Sequence, residues 1–297
     1  MSAAIPSRAL VTGAAGQLGR ALCAAAPAGL DCRGLARADA DITDAAALAR
    51  LLDELAPQLL INAAAYTAVD RAESEPQLAQ AANATAPALL ARACAARGIR
   101  LLHVSTDFVF DGRRSTPYPP HAGPAPLGVY GQSKLAGERA VLAALPGALV
   151  LRAGWLYSHR GANFLLTMLR LHRERDVLRV VDDQVGTPTR AASLAGALWA
   201  AAVRPAVTGI HHWSDAGVCS WYDFAVAIGE EAAALGLIPR AARVEPIASA
   251  DYPTAARRPA YSVLDKRATR AALELPARHW RSELRAALRD LEELENG

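Results

Sequence analysis

Through the first half of the chain, short apolar runs alternate with longer segments whose apolar residues recur every three or four positions. Residues 8–12 (RALVT), 30–35, 59–62 (LLIN), 100–105 (RLLHVS) and 148–152 (ALVLR) read as strands. Between them, 17–26, 45–55, 77–97 and 130–145 read as helices. Strands that are apolar without alternation belong in a parallel sheet covered on both faces by helices. The pattern predicts an α/β protein built on a Rossmann-type, doubly wound parallel sheet.

Beyond about Trp155 the rhythm changes. Helical segments at 163–173, 191–203, 220–235 and 279–294 are separated by short strands and Pro-containing loops, and 251–259 (DYPTAARRP) reads as a polar, basic loop. This half is expected to form a smaller C-terminal α/β substrate lobe. Residues 1–157, with 180–215 returning to them, would make the dinucleotide-binding domain, and 158–179 with 216–297 the lobe. No fixed-period repeat or low-complexity linker separates the two, so they are expected to share an extensive interface.

Composition narrows the function classes. The 297 residues are 52% hydrophobic and 21% charged, which excludes a disordered or collagen-like chain. With 32 basic and 29 acidic side chains and no polybasic block, neither nucleic acid nor a membrane surface is an expected partner. The opening MSAAIPSR is too short for a signal peptide, and no window approaches 18 uninterrupted apolar residues. Cys23, Cys32, Cys94 and Cys219 are scattered without CxxC or metal-ligand spacing, and Cys23 and Cys94 read as small buried hydrophobes. A reduced, cytoplasmic setting follows. Of the 32 cations only Lys134 and Lys266 are lysines. Where Arg serves as the generic cation, a lysine that persists points to a need for a compact, titratable ammonium.

Gly13-Ala14-Ala15-Gly16-Gln17-Leu18-Gly19 follows the first strand and opens the first helix. Glycines there permit a tight turn and let backbone amides approach a pyrophosphate at the positive end of the helix. The spacing is GxxGxxG, one residue longer than the GxGxxG fingerprint. After the second strand, the acid that usually holds an adenosine ribose is missing and Arg37 stands nearby. Arg37 either receives a 2′-phosphate, which favours NADPH over NADH, or is one of many surface arginines. Asp41-Ile42 would then flank the adenine.

Tyr130 and Lys134 stand at i and i+4 in a predicted helix, hence on one face and one turn apart. A phenol ionises near pKa ~10, and a neighbouring ammonium lowers that value. The same ammonium can reach the nicotinamide ribose. Thr106, in Ser105-Thr106-Asp107 just past the end of a strand, would face the ligand crevice and donate to the oxygen that Tyr130 protonates. The other reading of that tripeptide is a turn-forming cluster.

GAAGQLG, INAAAYTAVDRAESEP, STDFVFDG, YGQSKLAGE, RAGWLY, DDQVGTPT and DYPTAARRP together resemble the extended short-chain dehydrogenase/reductase superfamily and, within it, the dTDP-4-dehydrorhamnose reductase family. The resemblance runs in order through nearly the whole chain. It implies NAD(P)H-dependent reduction of the 4-keto group of a dTDP-sugar, with Tyr130 as proton donor, Lys134 as its partner and ribose ligand, and Thr106 polarising the ketone. Gly16, Gln17 and Leu18 would line the cofactor phosphates. Asp41-Ile42 and Ala63-Ala64-Ala65-Tyr66-Thr67 would cover its adenosine and nicotinamide ends. Thr106, Asp107 and Trp155 would contact the sugar nucleotide, a small-molecule substrate. Some relatives hold magnesium through glutamates at a dimer interface. Two of those positions are Ala21 and Ala192 here, so no metal is expected, and the chain would be a monomer or homodimer.

Related dehydratases place an acid directly after the Thr-Asp pair. Here that residue is Phe108, which can pack on a sugar or thymine but cannot take a proton, so elimination is disfavoured. Another 4-keto-sugar reductase or epimerase, or a non-catalytic nucleotide-binding regulatory subunit, are the alternatives. Trp155 either walls the sugar nucleotide or belongs to the core, and Asn163 either caps a helix or binds diphosphate. Arg257 or Arg258 would pair with the diphosphate, the other being solvated. His211-His212 lack a third ligand and read as packing residues. The charges from Arg281 to Glu295 read as an exposed helical face.

Overall fold

The structure, a computed structural model, describes residues 6–296; the first five residues of MSAAIPSR lie outside it, as do the side chains of Glu295 and Asn296. The first half runs β1 (Arg8–Thr12), α1 (Gln17–Ala24), β2 (Asp31–Leu35), α2 (Ala45–Leu55), β3 (Leu59–Asn62), α3 (Val69–Ala72), α4 (Pro76–Gln80), α5 (Ala86–Arg97), β4 (Arg100–Thr106), α6 (Val129–Ala144) and β5 (Leu149–Ala153). The second half runs β6 (Leu156–Tyr157), α7 (Phe164–Glu174), β7 (Val177–Val181), β8 (Val185–Gly186), β9 (Thr189–Arg190), α8 (Ala191–Ala202), β10 (Gly209–Trp213), β11 (Cys219–Ser220), α9 (Trp221–Ala234), β12 (Arg243–Ile247), α10 (Arg267–Leu273) and α11 (Trp280–Asn296).

Six strands form one parallel sheet in the order β10-β5-β4-β3-β1-β2. Strand order reverses beside β1, where a doubly wound sheet opens its ligand crevice. Successive strand residues feed opposite faces: Val11, Ile61 and Leu151 pack with α1 and α8, whereas Leu10, Leu60 and Val150 pack with α2 and α5. That two-sided burial is why these strands read as unbroken apolar runs. A separate apolar cluster joins α7, α9 and α11 around Phe224 and Ile228, beside the two-stranded β12-β7 ribbon.

Two expectations change. Residues 77–97 do not form one uniform helix: α4 and α5 are joined by a π-helical turn over Ala81–Thr85. Pro87 is the cause, since it offers no N–H to the carbonyl of Asn83 and its ring crowds that carbonyl. The widened turn places the Asn83 carbonyl against Gly137, where a Cβ would sit 2.0 Å from the oxygen. The charges on α11 are also not simply exposed. Glu283 is buried and pairs with Arg190, and Arg281 and Arg285 both pair with the buried Glu231 of α9. The helix lays Leu284, Ala287 and Leu288 on α9, which draws its flanking charges into the seam.

Candidate active site

At the carboxyl end of β1 the chain turns through Gly13, whose φ of +72° suits glycine. A Cβ there would lie 2.7 Å from the amide nitrogen of Ala64, and one on Gly19 would lie 2.1 Å from the Gly13 carbonyl oxygen. The glycines thus let α1, the turn and the segment after β3 close to backbone distance. Gly16 caps α1 without a side-chain hydrogen bond, and no acid occupies the first turn. Uncapped amides at the positive end of a helix suit an anionic diphosphate, so the residues present fit a dinucleotide.

Tyr130 and Lys134 lie on α6, whose first amide, of Val129, is capped by Glu73 at 2.9 Å. Thr106 ends β4 beside Tyr130; its hydroxyl donates to Asp107 at 3.1 Å and accepts from the Phe108 amide at 3.2 Å. Burial pushes the Tyr130 phenol up to about 12, with the Thr106 hydroxyl pulling the other way. Lys134 is 2% exposed and donates from Nζ to the Val104 carbonyl of β4 at 2.7 Å. Burial lowers its ammonium to about 8, opposed by the charge of Glu138. The lowering of the phenol by Lys134 that the spacing suggests is therefore not what acts in this state; desolvation dominates both groups.

Asp107 is buried beside Thr106, and burial raises its carboxyl to about 6. Gly154 makes room for it, since a Cβ there would lie 2.6 Å from the carboxylate. The Phe108 ring packs edge-on to Tyr130, with centroids 5.6 Å apart.

Residues 7–293 match the RmlD substrate binding domain family. The chain belongs to that family. It is 47% identical over 287 residues to the dTDP-4-dehydrorhamnose reductase of Mycobacterium tuberculosis, an alignment covering 95% of this chain and 92% of the relative. Among solved structures it resembles a dTDP-4-dehydrorhamnose reductase from Clostridium acetobutylicum, with TM-score 0.90, 36% identity and coverage of 96% and 99%. The Bacillus anthracis reductase, solved in complex with NADP, aligns with TM-score 0.90, 34% identity and the same coverage.

For an RmlD-family chain, other polar residues at the site carry little sequence signal. Asn62 ends β3, accepts from Thr12 at 2.7 Å and meets the His103 ring at 3.0 Å, making a buried polar row across three adjacent strands. Asn83, in the π-turn, binds the backbone of Tyr66 through both side-chain ends and donates to Ser133, whose hydroxyl donates to the Tyr130 carbonyl. One residue thereby ties the 63–67 segment to the helix of Tyr130. The only hint in the sequence is a polar residue ending an apolar strand (LLIN) or sitting within an Ala-rich helix.

The remaining RmlD-family candidates divide. Leu18 is buried in the sheet core, while Arg37 is exposed beyond β2. Asp41 accepts from the backbone and hydroxyl of Thr43, which lowers its carboxyl, and Ile42 packs beside Leu48 and Leu52. Ala63 lies against the core, Ala65 and Thr67 are exposed, and the Tyr66 hydroxyl donates to Glu75 at 2.5 Å. Trp155 takes a φ of +51° and stacks on Trp221 at 3.5 Å, with Gly186 leaving space beside its indole.

Asn163 is the N-cap of α7, accepting from Leu166. Its amide also donates to Gln17 at 2.9 Å, and Ser158 donates to the same Gln17 oxygen, joining the Gly-rich turn to the second lobe. Arg258 is held by Asp70 through two bonds, at 2.7 and 3.1 Å, whereas Arg257 is exposed. His212 is buried against the Tyr118 carbonyl, and His211 meets Thr269 and the Thr208 carbonyl. No helix among the described residues is long and apolar enough to cross a membrane.

Proposed function

We propose that this chain catalyses the NADPH-dependent reduction of the 4-keto group of dTDP-4-dehydro-L-rhamnose to dTDP-L-rhamnose, for cell-surface polysaccharide, with NADH as the weaker donor. The observation that carries this reading is Tyr130 and Lys134 one turn apart on α6, with Thr106 at the end of β4 beside the tyrosine.

NADPH, when bound, supplies the hydride. Tyr130 holds the proton that reaches the alkoxide oxygen developing at the sugar C4, and Thr106 donates to that same oxygen. Lys134 stabilises the phenolate left behind and reaches toward the ribose hydroxyls. Gly16, Gln17 and Leu18 line the diphosphate at the head of α1, in the turn that Gly13 and Gly19 let close, and Arg37 faces a 2′-phosphate. Asp41-Ile42 and residues 63–67 enclose the adenosine and nicotinamide ends. Asp107, Phe108 and Trp155 line the sugar, and Arg257 is free to approach its diphosphate.

Residues 1–157 with 180–215 form the dinucleotide domain in this reading, and 158–179 with 216–297 the substrate lobe; β10, a member of the main sheet, supports that division. The four cysteines are all free thiols, as a reducing cytoplasm would keep them, and the chain works there as a monomer or homodimer.

The test is loss of nicotinamide absorbance with freshly generated dTDP-4-dehydro-L-rhamnose, NADPH and NADH being run in parallel. Turnover to dTDP-L-rhamnose is expected. Tight NADPH binding without turnover would replace this reading with another 4-keto sugar nucleotide or a nucleotide-binding regulatory subunit. An Arg37→Ala variant should weaken NADPH more than NADH, and equal changes would remove Arg37 from the site.

A further inference from the structure

One buried ion pair behind Lys134 has no part in the reading above. Glu138 stands one turn beyond Lys134, so Tyr130, Lys134 and Glu138 succeed one another at i, i+4 and i+8 along α6. The side chains of Glu138 and Arg152 are each 1% exposed and joined twice, Nε to Oε1 at 2.8 Å and Nη2 to Oε2 at 2.6 Å. The Ser105 hydroxyl donates to Oε1 at 2.5 Å. Arg152 lies over the Phe110 ring at 5.1 Å, and its Nη1 meets His212 at 3.5 Å.

Stability is a poor explanation for such a pair, because apolar residues of similar volume often serve as well or better. Its contacts suggest another use. Three successive residues of β4 face three successive turns of α6: the Val104 carbonyl accepts from Lys134, Ser105 donates to Glu138, and Thr106 lies beside Tyr130. We propose that Glu138 is a positioning residue for the reduction: clamped by Arg152 and tied to Ser105, it fixes the α6 face carrying Tyr130 and Lys134 in register with Thr106 and presents its carboxylate to the lysine ammonium. The inference rests on the reductase reading for the roles of Tyr130 and Lys134.

The surroundings leave the lysine dependent on that carboxylate. From β4 comes His103, whose ring burial keeps neutral and which the Lys134 charge disfavours further. Beyond β4 stands Asp107, its carboxyl raised by burial. Glu73, after α3, is engaged at the head of α6, and Arg97 of α5 is paired with Asp53. Residues 76–85, which form α4 and the π-turn, carry no charge. Glu138 is the charge that raises Lys134 against its desolvation.

Because the chain has two lysines, selective ¹³Cε-lysine labelling of the full-length protein gives two side-chain signals, assigned with a Lys266→Arg variant. The Lys134 midpoint in Glu138→Gln is expected about one pH unit below wild type, and Glu138→Asp, which keeps the charge, should recover most of the difference. In turnover, Glu138→Gln should lose about tenfold above the wild-type midpoint and little well below it. An unmoved midpoint, or a loss uniform across pH, would overturn the proposal. Glu138→Gln leaves Arg152 buried and unpaired, so the double variant Glu138→Gln/Arg152→Met is titrated beside it. The lower midpoint must persist there; a wild-type midpoint in the double variant would equally overturn it. If the midpoint moves while wild-type protein turns over no 4-keto sugar, the link from Glu138 to Lys134 stands and the reductase reading falls. Turnover with an unmoved midpoint gives the reverse.

Discussion

Lys134 and Lys266 are alike in burial and unlike in what surrounds them. They are 2% and 7% exposed, and burial brings both down to about 8. Lys134 projects from a helix that also carries Tyr130, beside the open end of β4. Lys266 precedes α10 and donates to Ser214 at 2.7 Å and Thr187 at 3.5 Å, joining the end of β10 to the loop after β8. Arg270 pushes its ammonium down further, while Asp215 and Asp265 hold it up. A buried lysine with a lowered pKa therefore does not mark an active site. What separates the two is a phenol one helical turn away and a second hydroxyl, on Thr106, beside that phenol.

The sharpest way to break the contrast is Tyr130→Phe. Removing a positioned general acid should lower kcat by roughly 10²–10⁴-fold, while NADPH binding, followed by nicotinamide fluorescence, stays near wild type. Full turnover would leave Lys134 no more catalytic than Lys266. Next in size is Lys134→Arg, which keeps the charge but cannot place a planar guanidinium in the ammonium's buried space. A displaced catalytic group costs roughly a hundredfold, whereas Lys266→Arg should leave kcat unchanged, so similar losses at both positions would erase the distinction.

The pH profile sharpens it further. The phenol, pushed up to about 12, stays protonated across the working range, so loss of the proton donor does not set the alkaline limb. Lys134, lowered to about 8, does: above that value the ammonium becomes a neutral amine and no longer stabilises phenolate. Activity should fall as pH rises past about 8, and Lys266→Arg should leave that limb in place. A limb unchanged by Glu138→Gln would assign it to another group.

Much of this was legible in the chain. The alternation of apolar runs with helical periodicity places the five strands of the first half to within a residue or two, because a sheet covered on both faces leaves no polar alternation to blur them. Tyr130 and Lys134 are legible because helix geometry converts a four-residue spacing into a shared face. What escaped depends on tertiary distance. The π-turn arises from Pro87 and the approach of Gly137, two features 50 residues apart, and Asn83 takes its partners through that turn. Arg258 reads as either a diphosphate ligand or a solvated cation, and only the fold brings Asp70, 188 residues away in sequence, beside it. Glu138 reads as one more helical acid, and only the arrival of Arg152 from β5 shows that it is buried.

The smallest effect concerns Lys266 and stability. Its ordinary value of 10.5 applies to the unfolded chain, and the folded value is about 8. Below about 8 both states hold the proton, so folding is insensitive to pH through this group. Between about 8 and about 10.5 the unfolded chain keeps a proton that the folded chain has released, so stability rises with pH in that window and levels off above it. Lys134 contributes with the same sign, so wild type carries two such contributions and Lys266→Met only one. Urea unfolding at the two ends of the window should therefore show the variant gaining less stability, or losing more, than wild type on going alkaline, with kcat unaltered. Matching pH dependence in the two proteins would mean that Lys266 keeps an ordinary ammonium, and burial would then distinguish the lysines after all.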